Sequence, residues 1–161
     1  MTVRGLLHKT IIAFLGVFIT LLTSSCGKQT LYDHNIEVEE PWLSTNSAKF
    51  EIDVQDTINT YNVYINIRNT TDYQYSNLYL FIKTVFPNNY IAVDTAEIFL
   101  ADIKGNWLGN GFGANKDSQV LFRKNGRFAR KGVYHISLEQ AMRDTKLYGI
   151  KSIGIRIERS E

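Results

Sequence analysis

The stretch YNVYINIRNT, residues 61–70, indicates the fold class of this chain. Tyr61, Val63, Ile65 and Ile67 stand at every second position, and mostly polar side chains stand between them. Successive side chains of a β-strand point to opposite faces, so this period of two puts one face on a core and the other in solvent. We therefore expect an antiparallel strand that is buried on one face.

Similar strand signals recur through most of the chain. Alternating or apolar runs predict further strands at residues 50–54, 77–86, 92–102, 133–137 and 150–158. The run at 77–86 is apolar on both faces, so we expect a central strand there. Asn125-Gly126 separates SQVLFRK from RFAR and predicts a β-hairpin, because Asn-Gly adopts the positive φ angles of a type I′ turn.

One short helix is expected among these strands. Ser137 and Gln140 have the spacing of a capping box, and LEQAMR at 138–143 would supply one or two helical turns. The sequence therefore predicts an all-β domain. It would be an antiparallel β-sandwich, immunoglobulin-like or jelly-roll, with about eight strands and one short helix.

The first 25 residues have the profile of a cleaved signal peptide. Arg4 and Lys9 precede the uncharged run IIAFLGVFITLL at 11–22, and small residues follow it at 23–25. The run is shorter than the roughly 20 apolar residues that a membrane-spanning helix needs. We expect residues 1–25 to be removed from the mature protein.

The single cysteine, Cys26, comes directly after this segment. In bacterial lipoproteins the signal is cut before a cysteine that carries diacylglycerol, and Ser24 and Ser25 supply the small residues that this cleavage requires. Thr23 stands where a large aliphatic residue is usual, as in the relaxed signals of Bacteroidota. We expect Cys26 to be lipidated; the alternatives are a buried structural cysteine and an incidental cysteine after a secretory signal.

The chain is thus predicted to contain a signal peptide (1–25), a lipidated cysteine with a tether (26–47) and the β-sandwich domain (48–161). The tether is expected because residues 27–47 lack sustained periodicity, with Trp42 packing on the domain as a plug. Cleavage removes two of the 18 basic residues, and the remaining 16 balance the 16 acidic residues. Net charge therefore gives no support to nucleic-acid binding.

Several motifs in order resemble the gliding-motility lipoproteins of GldH type from Bacteroidota. The resemblance covers residues 31–158 and rests on the segments FEIDVQDT (50–57), YNVYINIRNT (61–70), NLYLFI (77–82), DTAEIFLAD (94–102), GNWLGNGFG (105–113), EQAMR (139–143) and GIRIE (154–158). It implies a lipid-anchored outer-membrane protein that is required for gliding motility and the associated type IX protein secretion apparatus. We expect it to bind other gliding or secretion lipoproteins and envelope components, without catalysis, cofactor or small-molecule substrate.

The glycine-rich stretch at 105–113 is the candidate partner-binding loop, with Trp107, Gly109, Gly111 and Phe112 as its contact residues. Tryptophan is enriched in the hot spots of protein interfaces. The alternative is a long connection whose glycines relieve positive-φ strain, with Trp107 buried beneath it. A phosphate-binding loop is not indicated, because those loops lie between a strand and a helix.

A basic run at 123–131 is the candidate contact with an anionic surface. We expect it to surround a hairpin and to meet lipid headgroups, lipopolysaccharide phosphates or an acidic partner. A solvated hairpin tip is the alternative. Its cations are Arg123, Lys124, Arg127, Arg130 and Lys131.

Catalytic and metal sites are not indicated. Asp94 and Glu97 point to opposite faces of a predicted strand, so with Asp102 they do not form a carboxylate pair on spacing alone. His34 and His135 lack the spacing of a zinc site. We therefore expect neither an enzyme nor a bound metal.

One modification is expected beside lipidation. Asp56-Thr57-Ile58 resembles the loose Asp-Ser/Thr acceptor for O-glycosylation in periplasmic proteins of Bacteroidota, and it lies between two predicted strands where a transferase has access. Asp94-Thr95-Ala96 has the same form but lies within a strand. Thr57 is therefore the candidate glycosylation site.

Two further expectations concern function and location. A second functional hypothesis is an envelope carbohydrate-binding module, which predicts that Trp107 and several of Tyr61, Tyr64, Tyr73 and Tyr75 are exposed on one face. Residues 27–31 contain no acid, whereas lipoproteins exported to the cell surface usually carry an acidic cluster after the cysteine. We therefore expect the domain to lie on the periplasmic face of the outer membrane.

Overall fold

A computed structural model describes residues 29–160. Within that range there are ten strands and no helix: β1 (Thr30–Glu37), β2 (Trp42–Leu43), β3 (Ala48–Val54), β4 (Tyr61–Thr70), β5 (Asn77–Val85), β6 (Ile91–Phe99), β7 (Asn115–Gly126), β8 (Gly132–Gln140), β9 (Lys146–Leu147) and β10 (Ile150–Arg159). No helix in this range could cross a membrane. The predicted signal peptide and Cys26 lie outside the described residues.

The strands form two four-stranded sheets that pack face to face around one core. The strand order is β1-β10-β4-β7 in the first sheet and β3-β8-β5-β6 in the second, and β2 and β9 form a separate pair. Every strand pairing is antiparallel. The prediction of an all-β antiparallel sandwich is confirmed, with ten strands instead of about eight.

The core is built from the inward faces of the two sheets. Ile153 and Ile155 of β10 pair with Ile67 and Ile65 of β4, and all four side chains are buried. Leu80 of β5 is fully buried on the inward face of the second sheet. Burial of each such side chain stabilises the fold by about 1.5–3 kcal/mol. The period-two pattern that opens the sequence analysis therefore produces the core of the sandwich.

The predicted tether is wrong from Thr30 onward. β1 pairs along its length with β10, and Trp42 and Leu43 pair with Leu147 and Lys146. The sequence TLYDHNIE does not reveal a strand because it has no clear apolar face, and main-chain pairing with β10 holds it at the sheet edge. Trp42 is buried, as the predicted plug requires.

The predicted short helix is also wrong. Ser137 and Gln140 both lie in β8. The Gln140 side chain accepts a hydrogen bond from the Met142 N–H (2.9 Å) and donates one to the Asp144 carbonyl (2.9 Å). The residues that resemble a capping box therefore fix the turn after a strand.

The predicted hairpin at Asn125-Gly126 does not form. β7 pairs with β4 in the first sheet, whereas β8 pairs with β3 and β5 in the second. Asn125 has a positive φ of 53°, but Gly126 continues the ladder opposite Tyr61. Residues 127–131 therefore cross from one sheet to the other.

β5 is a central strand, as predicted, because it lies between β8 and β6. Only one of its faces is covered, however. Leu78, Leu80 and Ile82 point into the core, whereas Tyr79 and Phe81 lie on the outer face and are 37% and 45% exposed.

The sandwich has two distinct ends. At the proximal end lie Gln29, where the described chain begins, and the connections 55–60, 86–90 and 127–131. At the distal end lie the connections 38–47, 71–76, 100–114 and 141–149. The ten-residue strand β4 runs from one end to the other, which separates them by about 33 Å at ~3.3 Å per residue.

Candidate functional site

The described chain enters the sandwich at the proximal end. The Gln29 carbonyl accepts a hydrogen bond from the Arg159 N–H (2.9 Å), and the Thr60 carbonyl accepts one from the Ser160 N–H (2.9 Å). Gly27 and Lys28 alone separate Cys26 from Gln29 in the sequence. The predicted lipidation site is therefore adjacent in sequence to this end.

The cations of the predicted anionic-surface contact lie at the end of β7 and in the connection that follows it. All five are exposed: Arg123, Lys124, Arg127, Arg130 and Lys131. Arg123 lies 3.8 Å from the Asp94 carboxylate, and both side chains remain about half exposed, which makes this ion pair a weak one. Although the hairpin is absent, the basic side chains stay together at the proximal end.

The ends of the sandwich differ in charge. The proximal connections contain three cations, Arg127, Arg130 and Lys131, and one carboxylate, Asp56. The distal connections contain three cations and the five carboxylates Glu39, Glu40, Asp72, Asp102 and Asp144. A charge difference of this kind would orient the domain in the field of a charged surface.

Thr57 lies in a tight turn at the proximal end. The Asp56 carboxylate accepts hydrogen bonds from the Asn59 side chain and from the Ile58 (2.8 Å) and Asn59 (3.2 Å) N–H groups, and the Tyr61 hydroxyl donates to it at 2.9 Å. These donors, the Asn59 side chain first, hold the pKa of Asp56 far below its usual range. Thr57 itself is half-buried, and its glycosylation stays a prediction.

The candidate partner-binding loop occupies the distal end. Trp107 is partly buried against the core, with its ring centroid 6.5 Å from that of Tyr73, and it pairs with Ala101. The Asp102 carboxylate accepts hydrogen bonds from the Asn106 side chain (2.9 Å) and N–H (2.8 Å) and from the Lys104 N–H (2.8 Å), which lowers the pKa of Asp102. The loop is therefore a fixed element of the fold.

Gly109 and Gly111 let this loop approach β7. A Cβ on Gly109 would lie 2.7 Å from the Ser118 Oγ, and one on Gly111, where φ is +144°, would lie 2.4 Å from a β7 carbonyl. Asn110 and Asp117 exchange two main-chain hydrogen bonds between these glycines and β7 (2.9 and 2.7 Å). The close approach of the loop to β7 therefore requires glycine at both positions, whether or not a partner binds there.

Two apolar side chains of the connection 100–114 are fully exposed: Phe112, within the loop, and Ile103, just before it. Leu108 and Phe99 are more than half exposed and line a surface depression of about 870 Å³ that continues over β7. An aromatic side chain in water on a fixed loop is available for burial in an interface. Phe112 is therefore exposed to solvent, whereas Trp107 packs against the core and supports the loop. A contact between this loop and a partner stays a prediction.

A polar network on the outer face of the first sheet is not visible in the sequence. The Asn66 side chain donates to the Asn35 Oδ1 (3.0 Å) and accepts from the Gln119 side chain (3.0 Å), which links three strands. The Asn35 side chain lies over Gly154 and leaves no room for a larger residue, since a Cβ on Gly154 would be 1.8 Å from the Asn35 Oδ1. These contacts depend on strand register, which local sequence patterns do not give.

The acidic residues weighed as catalytic candidates are not brought together. Asp94 lies beside Arg123, Glu97 accepts a hydrogen bond from the Asn77 side chain (2.7 Å), and Asp102 fixes its own turn. In the described part of the chain no three His, Cys, Asp or Glu side chains converge as metal ligands.

The aromatic face predicted for a carbohydrate-binding module does not form. Tyr61 and Tyr73 are buried in the core, and the Tyr73 hydroxyl donates to the Asn77 carbonyl at 2.8 Å. Burial raises the pKa of Tyr73. Trp107 is itself partly buried, so these rings do not offer a stacking platform.

Comparison with known proteins gives a consistent result. The sequence profile of the GldH lipoprotein family matches residues 30–157. The gliding motility lipoprotein GldH homolog of Christiangramia forsetii is 38% identical over 92% of this chain and 95% of that protein. Gliding motility lipoprotein GldH of Flavobacterium johnsoniae is 30% identical over 88% of this chain and 92% of that protein.

Solved structures add little. Dimeric latent PorU from Porphyromonas gingivalis matches with a TM-score of 0.34 and 9% identity, over 86% of this chain and 14% of that one. The match spans about one seventh of that chain.

Proposed function

Because the chain belongs to the GldH lipoprotein family and is thus a lipid-anchored gliding-motility lipoprotein, we propose that it acts without catalysis, by binding other proteins. Its partners would be gliding and secretion components of the envelope, including those of the type IX secretion apparatus. The observation that supports this proposal is the fully exposed Phe112, held on a fixed loop at the distal end of the sandwich.

Lipidation at Cys26 would fix the proximal end at the membrane. Fully extended chain covers about 3.3–3.6 Å per residue, so the three steps from Cys26 to Gln29 reach about 10 Å. That is much shorter than the sandwich itself. The acyl chains confine the domain to a membrane surface, which raises its effective concentration near membrane-bound partners.

The exposed cations at the proximal end would then face anionic headgroups. Each Lys or Arg near such a surface contributes about 1 kcal/mol of attraction, which salt weakens. The candidate residues are Arg123, Lys124, Arg127, Arg130 and Lys131. Together with the short link to Cys26, they would hold the sandwich upright, with the distal loop about 33 Å from the membrane. We place it on the periplasmic face of the outer membrane, because no acidic cluster follows Cys26.

A non-catalytic role is supported by the functions that the carboxylates already have. Asp56 and Asp102 fix turns, and Asp117 forms a bidentate pair with Arg68 (2.7 and 3.2 Å). The exposed side chains of the connection 100–114, Phe112 and Ile103, are suited to contact and not to catalysis, since they carry no reactive group.

The experiment is affinity capture from detergent-solubilised envelope with the lipidated protein and its Phe112→Ser variant. We expect the wild type to recover gliding and secretion components, identified by mass spectrometry. Phe112→Ser should reduce the recovery by about tenfold or more, as loss of a hot-spot aromatic does. Its melting temperature should not change, because the ring is fully exposed in the free protein.

Tyr90→Ser is the matched control, because it removes an exposed aromatic ring from the proximal end. It should leave recovery unchanged. If the wild type recovers no gliding or secretion component but is retained on glycan resin, the proposal is wrong. Equal losses with Phe112→Ser and Tyr90→Ser would show that the distal loop is not the contact.

A further inference from the structure

A cavity of about 290 Å³ lies between the two sheets at the proximal end. Its interior is lined by apolar side chains from both sheets and from the connection 127–131, among them Ile65, Ile82, Phe122, Phe128, Ile136 and Ile155. An apolar cavity of about half this volume stays dry and binds benzene. The space is therefore large enough for a small apolar ligand and favours one over water.

The cavity exists because β6 presents small side chains to the core at this end. Ala92, Asp94 and Ala96 pair with Thr84, Ile82 and Leu80 of β5 and so share their inward face. Of the three β6 residues, Ala92 and Asp94 line the cavity, and a large apolar residue at 92 would fill part of the space between the sheets. β7 also contributes to the cavity. Its pairing with β4 changes register near Phe122 and Arg123, which opens the edge of the sandwich.

Charged side chains surround the opening. Asp94, Arg123 and Arg127 line the cavity and are exposed, whereas its deeper residues are buried or half-buried. Arg123 and Asp94 lie 3.8 Å apart across β6 and β7, which leaves guanidinium donors free to bind another anion. Two cations and one carboxylate give the opening a net positive charge.

We propose that this cavity binds a single alkyl chain, with an anionic head group held at the opening by Arg123 and Arg127. The ligand class is a fatty acid or the acyl chain of an anionic phospholipid. Three observations support it: the apolar interior, the cationic opening, and the position at the end of the sandwich from which the chain leads to Cys26. At about 30 Å³ for each water-sized group, the space takes about ten methylene groups. The proposal does not depend on the binding of other proteins.

The experiment is calorimetric titration of the non-acylated chain from residue 26, with Cys26→Ser, at ligand concentrations below micelle formation. Affinity should rise about fourfold with each added methylene and level off at a chain of about ten carbons. Hexanoate, octanoate, decanoate and dodecanoate form the series. Lysophosphatidylglycerol with a lauroyl chain tests the phospholipid as the source of the chain, and binding of either source supports the proposal.

Two pairs of measurements test the apolar interior and the cationic opening of the cavity independently. Ala92→Leu should fill the cavity and reduce dodecanoate affinity by at least tenfold without lowering the melting temperature. Thr95→Leu, on the outer face of the same strand, should leave affinity unchanged. Arg123→Gln should weaken dodecanoate severalfold and leave dodecanol, which has no charge, unaffected. Absence of saturable binding by both anionic ligands, or equal affinities of the Ala92→Leu and Thr95→Leu variants, would overturn the proposal.

Discussion

The Gln29 carbonyl accepts a hydrogen bond from the Arg159 N–H at 2.9 Å. This contact continues the β1–β10 ladder to within three residues of Cys26. With Cys26 lipidated, as proposed, a folded domain that begins so close to the anchor would have little freedom to tilt. The position of Gln29 would then determine which surfaces of the sandwich face the membrane and which face a partner.

The first prediction concerns this orientation. Ile58 at the proximal end and Phe112 at the distal end are exposed, and a spin label on either leaves the core intact. With Cys26 acylated, Ile58→Cys and Phe112→Cys each supply a single free thiol. In reconstituted vesicles we expect the label at 58 to relax faster with a lipid-soluble reagent and the label at 112 to relax faster with a water-soluble one.

A flexible Gly/Ser insertion after Lys28 is the control for the same prediction. It lengthens the link without changing the sandwich, so it should reduce the difference between the two labels. Equal accessibility of residues 58 and 112 in the protein with the natural link would contradict the upright orientation.

The second prediction concerns Gly154. A Cβ at this position would lie 1.8 Å from the Asn35 Oδ1 and 2.6 Å from the His34 carbonyl oxygen. Gly154→Ala should therefore lower the free energy of unfolding by about 1–3 kcal/mol, as overpacking does. Urea unfolding measures this loss. Adding Asn35→Ala should recover part of it, because only the main-chain contact then remains; no loss in Gly154→Ala would show that β1 is not fixed here.

The third prediction compares two adjacent residues of β5. Leu80 is fully buried, and Leu80→Ala should cost about 2–5 kcal/mol of unfolding free energy through the lost contacts and the cavity. Phe81 is 45% exposed on the outer face, so Phe81→Ala should cost about 1 kcal/mol. Chemical denaturation of both variants tests the one-sided burial of this strand. Similar costs would mean that the outer face is covered as well.

The fourth prediction concerns pH. The Asn59 side chain and the other donors lower the pKa of Asp56, so the ionised carboxylate stabilises the folded state. This stabilisation is present above the unfolded-state pKa of about 3.9 and is lost as pH falls from there through the folded-state pKa. The difference in unfolding free energy between the wild type and Asp56→Asn should therefore be constant near neutral pH and shrink in acid.

Asn59→Ala provides the control, because it removes the side-chain donor that contributes most to the shift. In that background the pH-dependent difference should be smaller. A difference that stays constant down to strongly acidic pH would show that the Asp56 charge does not stabilise the turn.

Much of the fold could be predicted because strand periodicity is a local property. Tyr61, Ile65 and Ile67 of β4 occupy the buried face that their spacing indicates. The position of the loop that contains Phe112 could also be predicted, since its glycines and aromatic residues are contiguous in the sequence. The burial of Tyr73 could not be predicted. Nothing in the adjacent sequence distinguishes an exposed tyrosine from a buried one whose hydroxyl donates to a main-chain carbonyl.

The sequence by itself determined the alternation that makes this protein a β-sandwich and the place of the single cysteine after an apolar run. Each of these features lies within one short segment, where side-chain direction and hydrophobicity act locally. Only the tertiary structure decided that β1 joins β10, that β7 and β8 belong to different sheets, and that Asp94 and Arg123 border one cavity. Those relationships depend on main-chain pairing and register between distant segments, and many sequences satisfy the same local pattern with different partners.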